Sequence, residues 1–75
     1  MSEEDLVNTV NWIRAKLRAR RLHLEMNRTE LAAKAGISKQ MVQYVEDGSR
    51  TPSLETLVRM VFALDLTIEL PEEES

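Results

Sequence analysis

The 75 residues contain no cysteine, one histidine, two glycines, two prolines and three aromatics, and no apolar run approaches a membrane span. Each absence narrows the field. Without cysteine there are no disulfides, and His23 alone cannot supply the usual zinc ligand sets. A chain of this size hides only about 60% of its unfolded surface, so self-association is the remaining route to a comfortable stability margin. The acidic start Ser2-Glu3-Glu4-Asp5 is not a signal peptide. One small cytoplasmic domain without cofactor or membrane contact is the expectation.

Catalysis has little to stand on. There is no glycine-rich phosphate loop and no metal-ligand cluster, and His23 has no carboxylate neighbour at helical spacing on a pocket face. Charge is unevenly spread: residues 1 to 13 hold three acids and no base, residues 14 to 50 nine bases and four acids, and residues 51 to 75 one base and six acids. The net charge of −3 therefore conceals a central block of +5 between acidic ends. Such a block suits an anionic partner.

Period and caps predict four helices. Leu6, Val10, Ile13, Leu17 and Leu24 share one stripe of a long first helix, and Ser2 with Asp5 forms a capping box. Asn27 and Glu30 cap a short second helix, with Met26 stapled to Leu31, and Gly36 ends it. Ser38 opens a third helix from Lys39 to about Asp47, closed by Gly48; Ile37 staples to Val42. Its Lys39, Gln40, Gln43 and Tyr44 face away from Met41, Val42 and Val45. A fourth helix follows Ser53. Its apolar set of Leu54, Leu57, Val58, Val61, Phe62 and Leu64 is too broad for one short neighbour, so a second subunit is a candidate for the excess.

From Leu64 the period changes to two: Leu64, Leu66, Ile68 and Leu70 alternate with Asp65, Thr67 and Glu69, and Pro71 follows. This predicts a strand. An isolated strand leaves its backbone groups unpaired, so Leu66, Ile68 and Leu70 are expected to pair with the same strand of another copy, or else to drape over their own core. The expected division is 1–63 as a helical domain and 64–75 as dimerisation strand and acidic tail.

Across Arg28 to Asp47, small Ala32, turn Gly36 and the wedge Leu31, Ala35, Ile37, Val42 and Val45 match a helix-turn-helix position by position. Residues 13 to 66, through ELAAKAGISKQMVQYVEDG and then RTPSLETLVRMVFALDL, resemble the lambda-repressor-like (Cro/cI, Xre-type) family. That resemblance implies an all-α, compact bundle of four to five helices whose third helix enters the major groove of double-stranded DNA. It assigns base reading to Lys39, Gln40 and Tyr44, with Gln43 beside them. Physically, Gln40 suits adenine, Lys39 suits guanine or a phosphate, and Tyr44 suits a thymine methyl.

Phosphate contacts fall to Arg28, Thr29, Ser38, Ser49 and Arg50. Arg28 and Lys39 place cations at helix N-termini, where the macrodipole disfavours them, and a bound phosphate would resolve the conflict. Most family members carry a backbone-bonding Gln at the Arg28 position, so this chain departs there. Arg14, Arg18 and Arg21 serve either as electrostatic support or as a solvated face. The closing LDLTIEL resembles the terminal strand of HipB-type antitoxins, which implies a homodimeric repressor on a pseudo-palindromic operator, autoregulated and paired with a toxin. A stand-alone phage-type or restriction-controller regulator, and an interaction adaptor without DNA affinity, are the alternatives.

Overall fold

The computed structural model describes residues 1–66 and contains four helices: α1 (Glu3–His23), α2 (Arg28–Ala35), α3 (Lys39–Asp47) and α4 (Leu54–Ala63). Local sequence sets their starts. Ser2 and Asn27 form reciprocal capping boxes with Asp5 and Glu30. Ser38 and Ser53 accept from the backbone N–H groups of Met41 and Thr56. Each cap satisfies donors that the first helical turn leaves without partners.

The helix ends share one device. In α2 and α3 a left-handed glycine, Gly36 or Gly48, turns the chain, and the N–H groups of Ile37 and Ser49 bond back to Ala32 and Tyr44. In α1 and α4 the same turn is made by acids: Glu25 has φ 55° and Asp65 φ 49°. The N–H of Met26 then bonds Arg21 O at 3.1 Å, and that of Leu66 bonds Val61 O at 3.0 Å. These are Schellman closures without glycine. The left-handed conformation costs an L residue roughly 1–2 kcal/mol, more than the ~0.5–1 kcal/mol of extra chain entropy that glycine brings. Glu25→Gly and Asp65→Gly should therefore each raise the thermal midpoint by a few degrees, measured by circular dichroism, and a fall would refute the strain assignment.

Three C-termini are also closed by arginines from other helices. Arg14 Nε donates to Val45 O at the end of α3 at 2.7 Å, Arg20 Nε to Leu64 O at the end of α4 at 3.0 Å, and Arg59 Nη1 to Ala35 O at the end of α2 at 3.5 Å. A cation at the negative end of a helix dipole is favourable there. The glycines make room for two of these arginines: a Cβ at Gly36 would lie 3.1 Å from Arg59 Nη1, and one at Gly48 would lie 3.1 Å from Arg14 Cζ.

The core is Leu17, Leu31, Ala32, Ala35, Val42, Val45, Met60, Ala63 and Leu64. α2 packs on both α3 and α4, and α1 packs on α3. Ala32 and Ala35 are buried between α2 and its neighbours, as the helix-turn-helix pattern requires. Met26, Ile37 and Met41 pack on the core from its edge, consistent with the two staples.

Two expectations change. Leu6 continues the Leu17 stripe but is 50% exposed, because α1 at 21 residues outruns the 9 and 10 residues of α3 and α4. Periodicity identifies the face, and among the described residues no neighbour lies opposite its first turns. Leu64 and Leu66 do not begin a strand: Leu64 caps α4 and is fully buried, and Leu66 packs against the core after the left-handed Asp65. No strand occurs among the described residues. The predicted Ile68 and Leu70 contacts lie outside them.

Candidate nucleic-acid interface

α3 is held from behind by an acid on its core face. Glu46 follows Val42 by one turn and its side chain is fully buried. Its two carboxylate oxygens accept from Arg21 Nε at 2.7 Å and Arg21 Nη2 at 2.8 Å, a bidentate pair linking α1 to α3. Arg21 Nη1 donates to Met26 O at 2.9 Å, tying in the turn before α2. Arg28, from the first turn of α2, adds Nε to Glu46 Oε1 at 3.2 Å and Nη2 to Asp47 Oδ1 at 3.4 Å. One carboxylate therefore joins three helices, and no side-chain polar atom buried among the described residues lacks a partner.

Burial pushes the Glu46 carboxyl up, but the hydrogen bonds and charges of Arg21 and then Arg28 outweigh it and hold it below its ordinary range. The hydrogen bond to Glu46 raises Arg21 against the opposing effect of its own desolvation. Glu46 stays charged, and α3 is fixed in orientation by a two-pronged contact.

Arg14 and Arg21 thus hold the fold together instead of forming a solvated face, while Arg18 remains exposed. The central +5 block is only partly available to a partner. The electrostatic conflict at Arg28 is answered within the chain by Glu46 and Asp47, although its side chain remains 30% exposed. Lys39, at the corresponding place on α3, is exposed and has no ion pair among the described residues.

On the outer side of α3, Lys39, Gln40 and Gln43 are exposed and Tyr44 is half-buried. Gln40 Nε2 donates to Tyr44 Oη at 2.6 Å, and the Arg50 guanidinium lies 4.8 Å from the centre of the Tyr44 ring. Three of the sequence-predicted residues are therefore brought into one row, with tyrosine as its middle. The stacked arginine restrains the ring. The ring hydroxyl in turn orients the glutamine amide, leaving its second N–H and its Oε1 free. A donor and an acceptor side by side match N7 and the N6 amino group of adenine.

Thr29, Ser38 and Ser49 are exposed. Thr29 and Ser38 stand at the openings of α2 and α3, and Ser49 follows Gly48 in the loop. The Ser38 hydroxyl oxygen is engaged by the Met41 N–H at 3.0 Å, which leaves its proton free to donate. Glu46 is the organising residue that the helix-turn-helix pattern does not single out. Its signal was present: a single acid one turn from Val42 and adjacent to Val45 on an apolar face demands a buried partner.

Two helices joined by the Gly36 turn, the second anchored from behind and polar in front, define a helix-turn-helix protein. A helix-turn-helix family profile matches residues 17–70, and the chain belongs to that lambda-repressor-like, Xre-type family. It is also 38% identical over 58 residues to an uncharacterized HTH-type transcriptional regulator, y4dL, of Sinorhizobium fredii (strain NBRC 101917 / NGR234). That match covers 77% of this chain and 30% of the relative, so the chain spans about a third of the relative's length. No solved structure matches. Among the described residues no helix is long and apolar enough to cross a membrane, and no group of three or more His, Asp or Glu is placed to hold a metal.

Proposed function

We propose that this chain is a sequence-specific, double-stranded-DNA-binding transcriptional repressor of the cytoplasm, acting as a homodimer on a pseudo-palindromic operator. α3 enters the major groove. Lys39, Gln40, Gln43 and Tyr44 meet base edges, while Arg28, Thr29, Ser38, Ser49 and Arg50 meet the flanking phosphates. The observation that carries the reading is the Gln40–Tyr44–Arg50 row on the exposed side of a helix locked by Glu46. A solvated helix face has no use for a glutamine held at its working angle.

Arg28 keeps a phosphate role by sharing: Glu46 retains both Arg21 bonds when Arg28 swings outward. Autoregulation as the antitoxin of a toxin–antitoxin pair rests on the LDLTIEL resemblance and the acidic ends. A toxin-like reading frame in the same operon supports it, and a lone gene favours the stand-alone regulator.

Salt titration tests DNA binding against the adaptor reading. Log affinity for promoter DNA should fall linearly with log salt, and Arg50→Ala should reduce the slope by about 0.9 per copy. A slope near zero would support the adaptor and sink the repressor.

A further inference from the structure

Arg28 and Asp47 are each charged against the dipole of their own helix. Arg28 is the first residue of α2, at its positive end, and Asp47 is the last residue of α3, at its negative end, where an acid is disfavoured. The two meet at 3.4 Å, Arg28 Nη2 to Asp47 Oδ1, in a contact open to water: their side chains are 30% and 45% exposed. Arg28 is the sole ion-pair partner of Asp47 among the described residues.

Glu46 plays a different part. Its side chain is fully buried and already takes two bonds from Arg21, so the third, from Arg28 Nε at 3.2 Å, is an addition to a closed pair. In the cluster of Arg21, Arg28, Glu46 and Asp47 two cations meet two anions, and the opening of α2 exerts no net pull on a distant phosphate. Lys39, at the opening of α3, is exposed, has no ion pair among the described residues and keeps its full pull. An ion pair open to water is weak and readily exchanged. A phosphate brought to bonding distance by α3 seated in the groove can take the place of Asp47. One met in loose, unregistered docking has to compete with Asp47 across screened solvent.

We infer that Asp47 withholds Arg28 from DNA phosphate until α3 is seated, so that Arg28 strengthens binding to the operator and adds little on other sequences. This rests on the DNA-binding reading above and deepens it: Asp47 is a positioning residue that sets the ratio of specific to non-specific affinity through Arg28. Its carboxylate costs the operator complex one weak, exposed ion pair and costs a non-specific complex a whole phosphate contact.

Asp47→Asn removes the charge and keeps the shape of the side chain, and its helical circular dichroism should be that of the wild type. The whole chain is titrated with salt on two duplexes of equal length, one selected by the wild type from a random pool and one without that motif. On the unselected duplex the variant's slope of log affinity against log salt should steepen by about 0.9 per copy. Its gain in affinity is then about 3.5-fold larger per copy at about 50 mM salt than at about 200 mM. On the selected duplex the slope should stay as in the wild type, because Arg28 is engaged there already. In an Arg28→Ala background Asp47→Asn should leave both slopes unchanged, since no cation remains to be released. An unchanged slope on the unselected duplex, equal steepening on both duplexes, or the same steepening without Arg28 would overturn the proposal. The repressor reading fails separately. If the wild type selects no sequence, yet Asp47→Asn steepens the slope through Arg28, the restraint on Arg28 stands and sequence-specific repression falls; binding of no variant to any duplex rejects both.

Discussion

Replacing Glu46 with alanine is expected to cost about 3–5 kcal/mol, because it leaves the buried Arg21 guanidinium without its counter-charge. For 75 residues at ~0.05–0.15 kcal/mol each, the whole stability is roughly 4–11 kcal/mol, so the substitution should remove a large share of it and lower the denaturation midpoint sharply. Urea denaturation followed at the helical band measures the effect directly. The paired change Arg21→Met with Glu46→Leu should restore most of the loss, since a well-packed apolar pair removes both desolvation penalties. Failure of the pair to recover would mean that the bond from Arg21 to Met26 O carries more of the turn than assigned here.

The same carboxylate sets a pH dependence with a definite sign. Its folded pKa lies below the unfolded value of 4.5, so the unfolded chain binds the proton more tightly. The stabilisation is fully present above that unfolded value and is lost as pH falls through the folded pKa. Arg21 is raised from an already high value, so its proton stays bound throughout and adds no slope in this range. The wild type should therefore lose stability relative to the Arg21→Met, Glu46→Leu pair as the pH falls. A difference that stayed constant to strongly acidic pH would contradict the ion-pair account.

The second large effect is on recognition. Gln40→Ala should lose about 1–3 kcal/mol of discrimination per half-site, roughly a 5- to 150-fold change at one base pair, and twice that free energy across a symmetric operator. Binding should become indifferent to substitution at that base pair while other positions keep their preferences. Tyr44→Phe should produce a smaller loss at the same base pair, because it frees the Gln40 amide without removing it. Were Tyr44→Phe to weaken every sequence equally, the tyrosine would be acting on phosphate instead of positioning the glutamine.

Most of the scaffold was legible because it is written locally. Ser2, Asn27, Ser38 and Ser53 begin helices through bonds to N–H groups three residues on, and Gly36 and Gly48 end them by their backbone freedom. The acidic closures at Glu25 and Asp65 carry no such mark, so the alternation from Leu64 read as a strand when its first residues form a helix end. A period of two sampled over three residues fits both. Val45, Leu64 and Glu46, which Arg14, Arg20 and Arg21 reach on or at the ends of other helices, lie 25 to 44 positions away, beyond any local pattern. For that reason the charge pattern makes the whole basic block look available to an anionic partner, when four of its arginines (14, 20, 21 and 28) hold helices together. The polar face of α3 was legible from its wheel. The coupling of Gln40 to Tyr44 was legible only as spacing, and the stacking of Arg50 depends on how the Gly48 turn returns the loop.

In the proposed repressor, α3 reads bases through Gln40. Selection of bound sequences from a pool of random duplexes, with the wild type and Gln40→Ala in parallel, tests it most directly. The wild type should enrich an inverted repeat with half-sites about one helical turn apart and an adenine at a fixed place in each. Gln40→Ala should lose that adenine and keep the rest. An identical motif from both proteins, or no enriched sequence from the wild type, would contradict it.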